Sequence, residues 1–381
     1  MRAVIAIDSF KGSLSSIEAG GAAGEGIKRA YPDAEIEICP LADGGEGTVS
    51  AVVSALGGEL VSIEVTGPLG STVMAEYGMI SERHLAVMEM SAAAGITLVE
   101  ESKRNPMNTT TYGVGEMIKD AINRGCRKFL MGIGGSATND GGVGTLQALG
   151  FEFLDKDGKE IARCGGGLEF LAEIRTSKAN KALAECEFLV ACDVKNPLCG
   201  ERGCSAIYGP QKGATPEMIE KMDGWLLRYA ELTKKINPEA DKDFWGAGAA
   251  GGMGFAFLSY LGGRLESGIE LVIRETGIEE KIKSADVVVT GEGRLDGQSA
   301  MGKAPVGIAR VAKKYGKPVI AFSGIIGDGA EACNADECGI DAFFPIVRRI
   351  TTLDEAMDKG NAKANLADTA EQVFRLMKTF K

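Results

Sequence analysis

Five stretches of this sequence set glycine beside carboxylate, hydroxyl and ammonium side chains. Asp8-Ser9-Phe10-Lys11-Gly12-Ser13 offers a lysine that can reach a phosphate or carboxylate, ahead of a helix start whose N–H groups favour anions. Pro40-Leu41-Ala42-Asp43-Gly44-Gly45-Glu46-Gly47-Thr48 holds three glycines in four residues, which lets the backbone approach a ligand closely, and two carboxylates suited to metal or hydroxyl contacts. Gly132-Ile133-Gly134-Gly135-Ser136-Ala137-Thr138-Asn139-Asp140-Gly141-Gly142 adds hydroxyl and amide donors of the kind an anion cradle uses. Cys192-Asp193-Val194-Lys195-Asn196-Pro197-Leu198 places Asp193 where a catalytic carboxylate would emerge, and Gly209-Pro210-Gln211-Lys212-Gly213 follows with a lysine in a glycine frame. Thr290-Gly291-Glu292-Gly293-Arg294-Leu295-Asp296-Gly297-Gln298-Ser299 runs on to Gly302-Lys303, supplying two carboxylates for a metal and two cations for phosphates. Residues 297–303 fit the frame G-x4-G-K, but Ala304 stands where a Ser or Thr would hold Mg²⁺.

Each stretch alone also reads as an ordinary turn, with Ser or Asp capping a helix and glycine closing a tight corner. Together they supply what phosphoryl transfer needs: phosphate cradles, cations, metal-binding carboxylates and a group to orient the acceptor hydroxyl.

The elements that must position them follow from periodicity. Residues 3–7 form an apolar run, as in a strand buried on both faces. Ser15-Ser16-Ile17-Glu18 fits a capping box, with Ile17, Ala23 and Ile27 expected on one buried helical stripe. Residues 35–39 alternate as a second strand, and 48–56 read as a helix closed by Gly57-Gly58. Segments 60–65, 72–79 and 85–90 read as an antiparallel meander. Beyond it, 112–124 is helical, 128–133 and 187–192 are buried strands, and 216–235 is an amphipathic helix. From residue 285 a βαβ rhythm returns, with strands at 286–290, 319–323 and 343–347 and a helix at 306–314. The pattern predicts an α/β fold. Residues 1–60 and 265–381 would form a Rossmann-like parallel-sheet domain, and 61–264 an inserted second α/β domain with antiparallel strands. The glycine-rich stretches follow strands, where open α/β sheets bind ligands.

Composition excludes other classes. Asp plus Glu total 53 against 42 Lys plus Arg, a formal charge of -11, which argues against nucleic-acid binding. An anionic substrate must then be captured by local cations and N–H groups. The nine cysteines include no C-x-x-C. The two C-x4-C pairs, Cys199/Cys204 and Cys333/Cys338, lack histidine partners, so reduced cytosolic thiols are the expectation rather than zinc. His84 is the only histidine, placed on a predicted strand, so histidine-dependent triads hang on it alone. No G-x-S-x-G elbow occurs. Asp8 ends the first apolar run far short of a signal peptide, and residues 245–263, uncharged but rich in glycine, read as a buried loop and helix rather than a membrane span.

The stretches 8–14, 40–48, 134–142, 192–198, 209–213, 246–252 and 290–299 with Gly302-Lys303, taken in order, resemble the bacterial-type glycerate kinase family. The resemblance implies phosphorylation of D-glycerate by ATP with Mg²⁺, at the 2-hydroxyl, in a cleft between a Rossmann-like domain and a second domain. It further implies a cytoplasmic monomer or homodimer whose partners are small molecules. On that basis Asp193 would orient the glycerate hydroxyl and accept its proton, with Asp43 as the alternative. Ser9, Lys11 and Asp43 would bind substrate, Lys11 also meeting the moving phosphoryl group. Gly134, Gly135, Ser136 and Thr138 would cradle phosphates, Arg294 and Lys303 would offset their charge, and Glu292 and Asp296 would hold Mg²⁺.

Two other readings compete. Gly132-x-Gly134-x-x-Ala137 satisfies the dinucleotide pattern of an NAD-dependent dehydrogenase, with Glu152 and Asp155 near the spacing expected for a ribose ligand. A non-catalytic metabolite sensor could share the scaffold.

Overall fold

In the computed structural model, which describes residues 1–379, the first apolar run is the strand Arg2–Ile7, buried at all but its first position. A strand shielded on both faces has to lie inside a sheet covered by helices. It pairs in parallel with Glu35–Ile38 on one side and Val287–Leu295 on the other. Val319–Ile326 and Ala342–Pro345 complete a five-stranded parallel sheet. Strands from both ends of the chain thus share one sheet.

The chain divides into two compact units, Met1–Asp43 with Ser50–Leu56 and Ile269–Lys381, and Gly44–Val49 with Gly57–Gly268. In the first unit the capping box at Ser15 forms as read: its side chain accepts from the Glu18 N–H while Glu18 accepts from the Ser15 N–H. The helix Ser16–Ala30 buries Ala19, Ala23 and Ile27. Ile17 does not join them and is 42% exposed. Counting in fours from Ile27 through Ala23 leads to Ala19, so Ile17 falls off the stripe. The C-terminal helix Lys359–Thr379, absent from the sequence reading, packs on this one. The approach is close at Gly26, where a Cβ would stand 2.0 Å from the carbonyl oxygen of Ala367.

The second unit is built on a six-stranded sheet in the order Arg264–Glu266, Glu187–Ala191, Lys128–Gly132, Leu85–Glu89, Thr72–Ile80, Glu59–Thr66. The first four strands run parallel, and the last three form the expected antiparallel meander. Phe129 and Phe188, paired in register, stack with ring centroids 4.8 Å apart. The helices Tyr112–Asn123, Pro216–Ile236 and Ala249–Tyr260 contribute to its core, the last being the buried glycine-rich segment read from the sequence. A small hairpin of Glu152–Leu154 with Glu173–Arg175 adds to the elements read from periodicity. His84 lies just outside the strand Leu85–Glu89, left-handed at φ 49°, closing a 3-10 turn. Among the described residues no helix is long and apolar enough to cross a membrane.

Candidate active site

Within the first unit, the site residues gather where neighbouring parallel strands end. Ile7 pairs with Gly291, so the chain leaves the sheet at Asp8 beside Glu292. Ser16 ties this exit to the loop after the second strand: its hydroxyl donates to the Ile7 carbonyl at 2.6 Å and accepts the Leu41 N–H at 2.8 Å. Glycine is needed at Gly324, where the next strand passes Gly293: a Cβ there would sit 2.6 Å from the Gly293 carbonyl oxygen.

Carboxylates crowd here. Asp8 is 4% exposed, and its pKa is pushed up to about 7, first by burial and then by the Asp43 carboxylate, with Glu292 adding to the effect. The Ser9 N–H, donating to Asp8 Oδ1 at 2.6 Å, and the Lys11 ammonium pull the other way. Glu292 is likewise raised, chiefly by burial, against a hydrogen bond from the Ser299 hydroxyl and the charge of Lys303. Asp296 has a different job. It caps the short helix Gly297–Ala300, accepting the Gln298 N–H at 2.9 Å, and pairs with Arg294 Nε at 3.1 Å. Lys303 Nζ donates to the Gln298 side chain at 3.1 Å. The sequence frame at 297–303 therefore closes no phosphate loop of the Walker type: a helix of four residues occupies its middle, and the long helix begins only at Ala304. Asp8 stands in the first motif without an assigned role; its place at a strand end, one residue before a serine, is the signal that could have singled it out.

Within the second unit, three strand ends carry the remaining residues. Glu89 closes the strand Leu85–Glu89 and accepts the N–H groups of Gly47 and Val49 at 3.0 Å each. This holds Gly44–Val49 across the adjacent strands. Gly44, at φ 88°, leaves a Cβ site only 2.4 Å from the Ala191 Cβ, and a Cβ on Gly132 would lie 2.5 Å from the Gly44 carbonyl oxygen. The loop 132–142 follows the strand Lys128–Gly132. Gly134 and Gly135 sit at its outer bend, Gly135 at φ 74°. Thr138 and Asn139 are fully buried, and Thr138 Oγ1 has no hydrogen-bond partner. Thr138 lies beneath the bend and cannot offer its hydroxyl from the surface. Asp193, two residues past the end of the strand Glu187–Ala191, is exposed and accepts the Gly268 N–H at 3.2 Å.

Sequence reasoning missed two buried charges under this loop. Asp140, buried at its far end, accepts from the Thr111 N–H and hydroxyl at 2.8 Å each and from Gly142 at 3.0 Å. Burial pushes its pKa up, and these donors oppose that. Lys212, 2% exposed, donates to the Ser136 hydroxyl at 2.8 Å and the Thr138 carbonyl at 2.6 Å. Burial pulls its pKa down to about 8. Lys212 stands in a glycine frame visible in the sequence, but nothing local shows that it reaches back to Ser136.

The dinucleotide reading of Gly132-x-Gly134-x-x-Ala137 fails on shape. That fingerprint wants a helix opening within the glycines. Here the helix is Val143–Ala148, six residues long, and begins beyond Gly142. Glu152 and Asp155 belong to the separate hairpin, where Glu152 pairs with Lys178 at 2.7 Å.

Comparison with known proteins agrees with the kinase reading. The glycerate kinase family pattern matches residues 3–378. The chain belongs to the glycerate kinase family. It is 47% identical over 94% of both chains to a glycerate kinase of Halalkalibacterium halodurans, and 48% identical over 93% of both to a glycerate 2-kinase of Escherichia coli K12. A crystal structure from Salmonella typhimurium LT2, assigned as glycerate kinase 2, superposes with a TM-score of 0.91 at 46% identity, covering 100% of this chain and 98% of that one. Family membership makes the chain an enzyme and sets the metabolite-sensor reading aside.

Proposed function

We propose that this enzyme transfers the γ-phosphoryl group of ATP to the 2-hydroxyl of D-glycerate, with Mg²⁺, in the cytoplasm. The observation that carries the reading is the charge crowding in the first unit, where Asp43 and Glu292 push the Asp8 pKa up against the Lys11 ammonium and Asp43 also pushes up Glu292. Buried carboxyls with other carboxylates close by are short of positive charge, which Mg²⁺ supplies. Phosphoryl transfer passes through a loose transition state, so positioning and charge compensation dominate.

In this reading Asp193 orients the acceptor hydroxyl and takes its proton, being exposed and anchored by the Gly268 N–H at 3.2 Å. Asp43 is the alternative base. Ser9 and Lys11 bind the glycerate carboxylate, and Lys11 also meets the transferring group. Gly134, Gly135 and Ser136 form a phosphate cradle supported from below by Thr138, while Arg294 and Lys303 offset phosphate charge.

The donor set fits Mg²⁺, a hard cation that takes one or two carboxylates and fills the rest of its octahedron with water and phosphate oxygens. Among the described residues no three acidic, cysteine or histidine side chains are grouped as a metal cage. Glu292 would hold the ion, with Asp296 acting through water because its oxygens already serve Gln298 and Arg294. The metal supplies charge neutralisation across the phosphates.

A coupled ADP-release assay with D-glycerate, L-glycerate, glycolate and lactate tests the reaction, and ³¹P NMR of the product tests the position. D-glycerate-dependent ADP release with 2-phosphoglycerate is expected; no release with any acid would sink the proposal. Asp193→Asn should fold normally and lose at least about 100-fold in kcat. Near wild-type turnover would remove Asp193 from the role of base.

A further inference from the structure

The Lys212 ammonium is an expensive thing to bury without an ion pair. Its two acceptors, the Ser136 hydroxyl and the Thr138 carbonyl, are neutral, and its third N–H has no acceptor among the described residues. Asp140, the nearest source of negative charge in the loop, spends its oxygens on Thr111, Gly142 and Gly144. A desolvated charge costs several kcal/mol, and an apolar side chain of the same length would fill the space more cheaply. Yet the chain takes care to aim this lysine. Lys212 ends a 3-10 turn between Gly209 and Gly213. A Cβ on Gly209 would lie 2.2 Å from the Ser205 carbonyl oxygen, and one on Gly213, at φ 89°, would lie 2.2 Å from that of Arg104. Both glycines let the turn press against its neighbours and drive the lysine inward, to residues 74 and 76 positions back in the chain. The side chain ends under the outer bend of the loop 132–142.

We infer that Lys212 is a positioning residue for substrate binding. Its charge makes the bend of this loop an anion site, and its two hydrogen bonds fix the Ser136 side chain and the Thr138 peptide that shape it. The anion is a phosphate of the nucleotide, so the inference rests on the phosphate-cradle reading of Gly134, Gly135 and Ser136. Lys212 does not touch the nucleotide. It acts through the loop, with a field little screened by solvent because the ammonium is 2% exposed. The substrate brings a second negative charge beside that of Asp140, which acts on the ammonium without a direct hydrogen bond to it.

Two variants separate charge from packing. Lys212→Met keeps the length and removes the charge, and Lys212→Gln keeps a donor for Ser136 and Thr138 without the charge. Both should raise Kd for ATP by about 10- to 100-fold, with kcat at saturation changed much less. The KM for D-glycerate should stay within about twofold. Lys212→Ala should recover nucleotide affinity with added n-propylammonium but not with n-propanol, which fills the same space uncharged. If the affinity lost is for D-glycerate instead, Lys212 still serves an anion but the loop is no phosphate cradle, and that reading fails while this inference stands. If the Gln variant binds both substrates like wild type, or if propanol rescues the Ala variant as well as propylammonium does, the residue is structural and the inference is wrong.

Discussion

Replacing Asp8 with asparagine tests the charge crowding at the first unit directly. The amide keeps an oxygen for the Ser9 N–H and removes only the titration. In the folded protein Asp8 titrates at about 7 rather than 3.8, so the folded state binds its proton more tightly than the unfolded chain does. For an acid raised on folding, the stabilisation is complete below the unfolded value and is lost as pH rises through the folded one. The displacement from 3.8 to about 7 corresponds to about 4 kcal/mol, an upper figure for a single buried carboxyl. Urea denaturation of wild type and Asp8→Asn at matched pH should therefore show the wild type losing about 2–4 kcal/mol relative to the variant between about pH 4 and about pH 7.5, then levelling. Mg²⁺ with ATP should move that limb to lower pH, because bound positive charge favours the carboxylate. Groups that do not interact with Asp8 titrate alike in both proteins and drop out of the difference, while Asp43 and Glu292 contribute to it. A wild-type-minus-variant difference that stays flat across that range would refute both the crowding and the role built on it.

Three further outcomes are open to measurement. Gly21, exposed with nothing within 4 Å of a would-be Cβ, should gain about 0.5–1 kcal/mol as alanine, whereas Gly26→Ala must displace the Ala367 carbonyl and should cost at least about 2 kcal/mol; paired thermal melts decide it. Glu89→Ala strips the acceptor from the Gly47 and Val49 N–H groups and should cost about 2–4 kcal/mol, with Glu89→Gln costing less and amide exchange at those residues reporting the loss. Lys212, lowered to about 8, leaves the folded state binding fewer protons than the unfolded chain between about pH 8 and its ordinary value of 10.5, so wild-type stability relative to Lys212→Met should rise with pH in that window.

Much of the fold was legible because its strands are short apolar runs bounded by glycine. The run before Asp8, the helix 48–56 and the meander were all readable from pattern alone. The helix Lys359–Thr379 was not, since its long stretch of Lys, Asn, Asp, Glu and Gln dilutes the apolar stripe of Ala362, Leu366, Ala370 and Phe374. The hairpin at Glu152 was missed because three-residue strands carry no readable alternation. The motif loops declared themselves through glycine. What stayed hidden was depth. Sequence can group Ser136, Thr138 and Lys212 as polar residues in glycine frames, but not say that Thr138 is buried and that Lys212 stands beneath Ser136. Burial of a charge is a tertiary fact, set here by partners 74 and 76 residues away.

The buried charged groups of the two units answer a difficulty set by composition. In the proposed reaction a chain of net charge -11 binds anions, one of them a nucleotide with several negative charges. At physiological salt a surface charge is screened within about 8 Å, so the net charge matters little at a site, provided that local charges are shielded from solvent. Lys212 is such a charge, and its field reaches the loop above it while the exposed acids do not. Asp8 and Glu292 are the opposite case, buried acids whose carboxylate forms burial disfavours and a bound cation would favour. Each unit thus holds buried charge that disfavours its own ligand-free state and favours a bound partner of the opposite sign. Affinity gained in this way depends on ionisation rather than on contact area. Neutralising Asp8 should therefore weaken Mg²⁺ more than nucleotide, and neutralising Lys212 should weaken nucleotide more than Mg²⁺. Equal losses of both ligands in both variants would show that general loosening, not charge, is the cause.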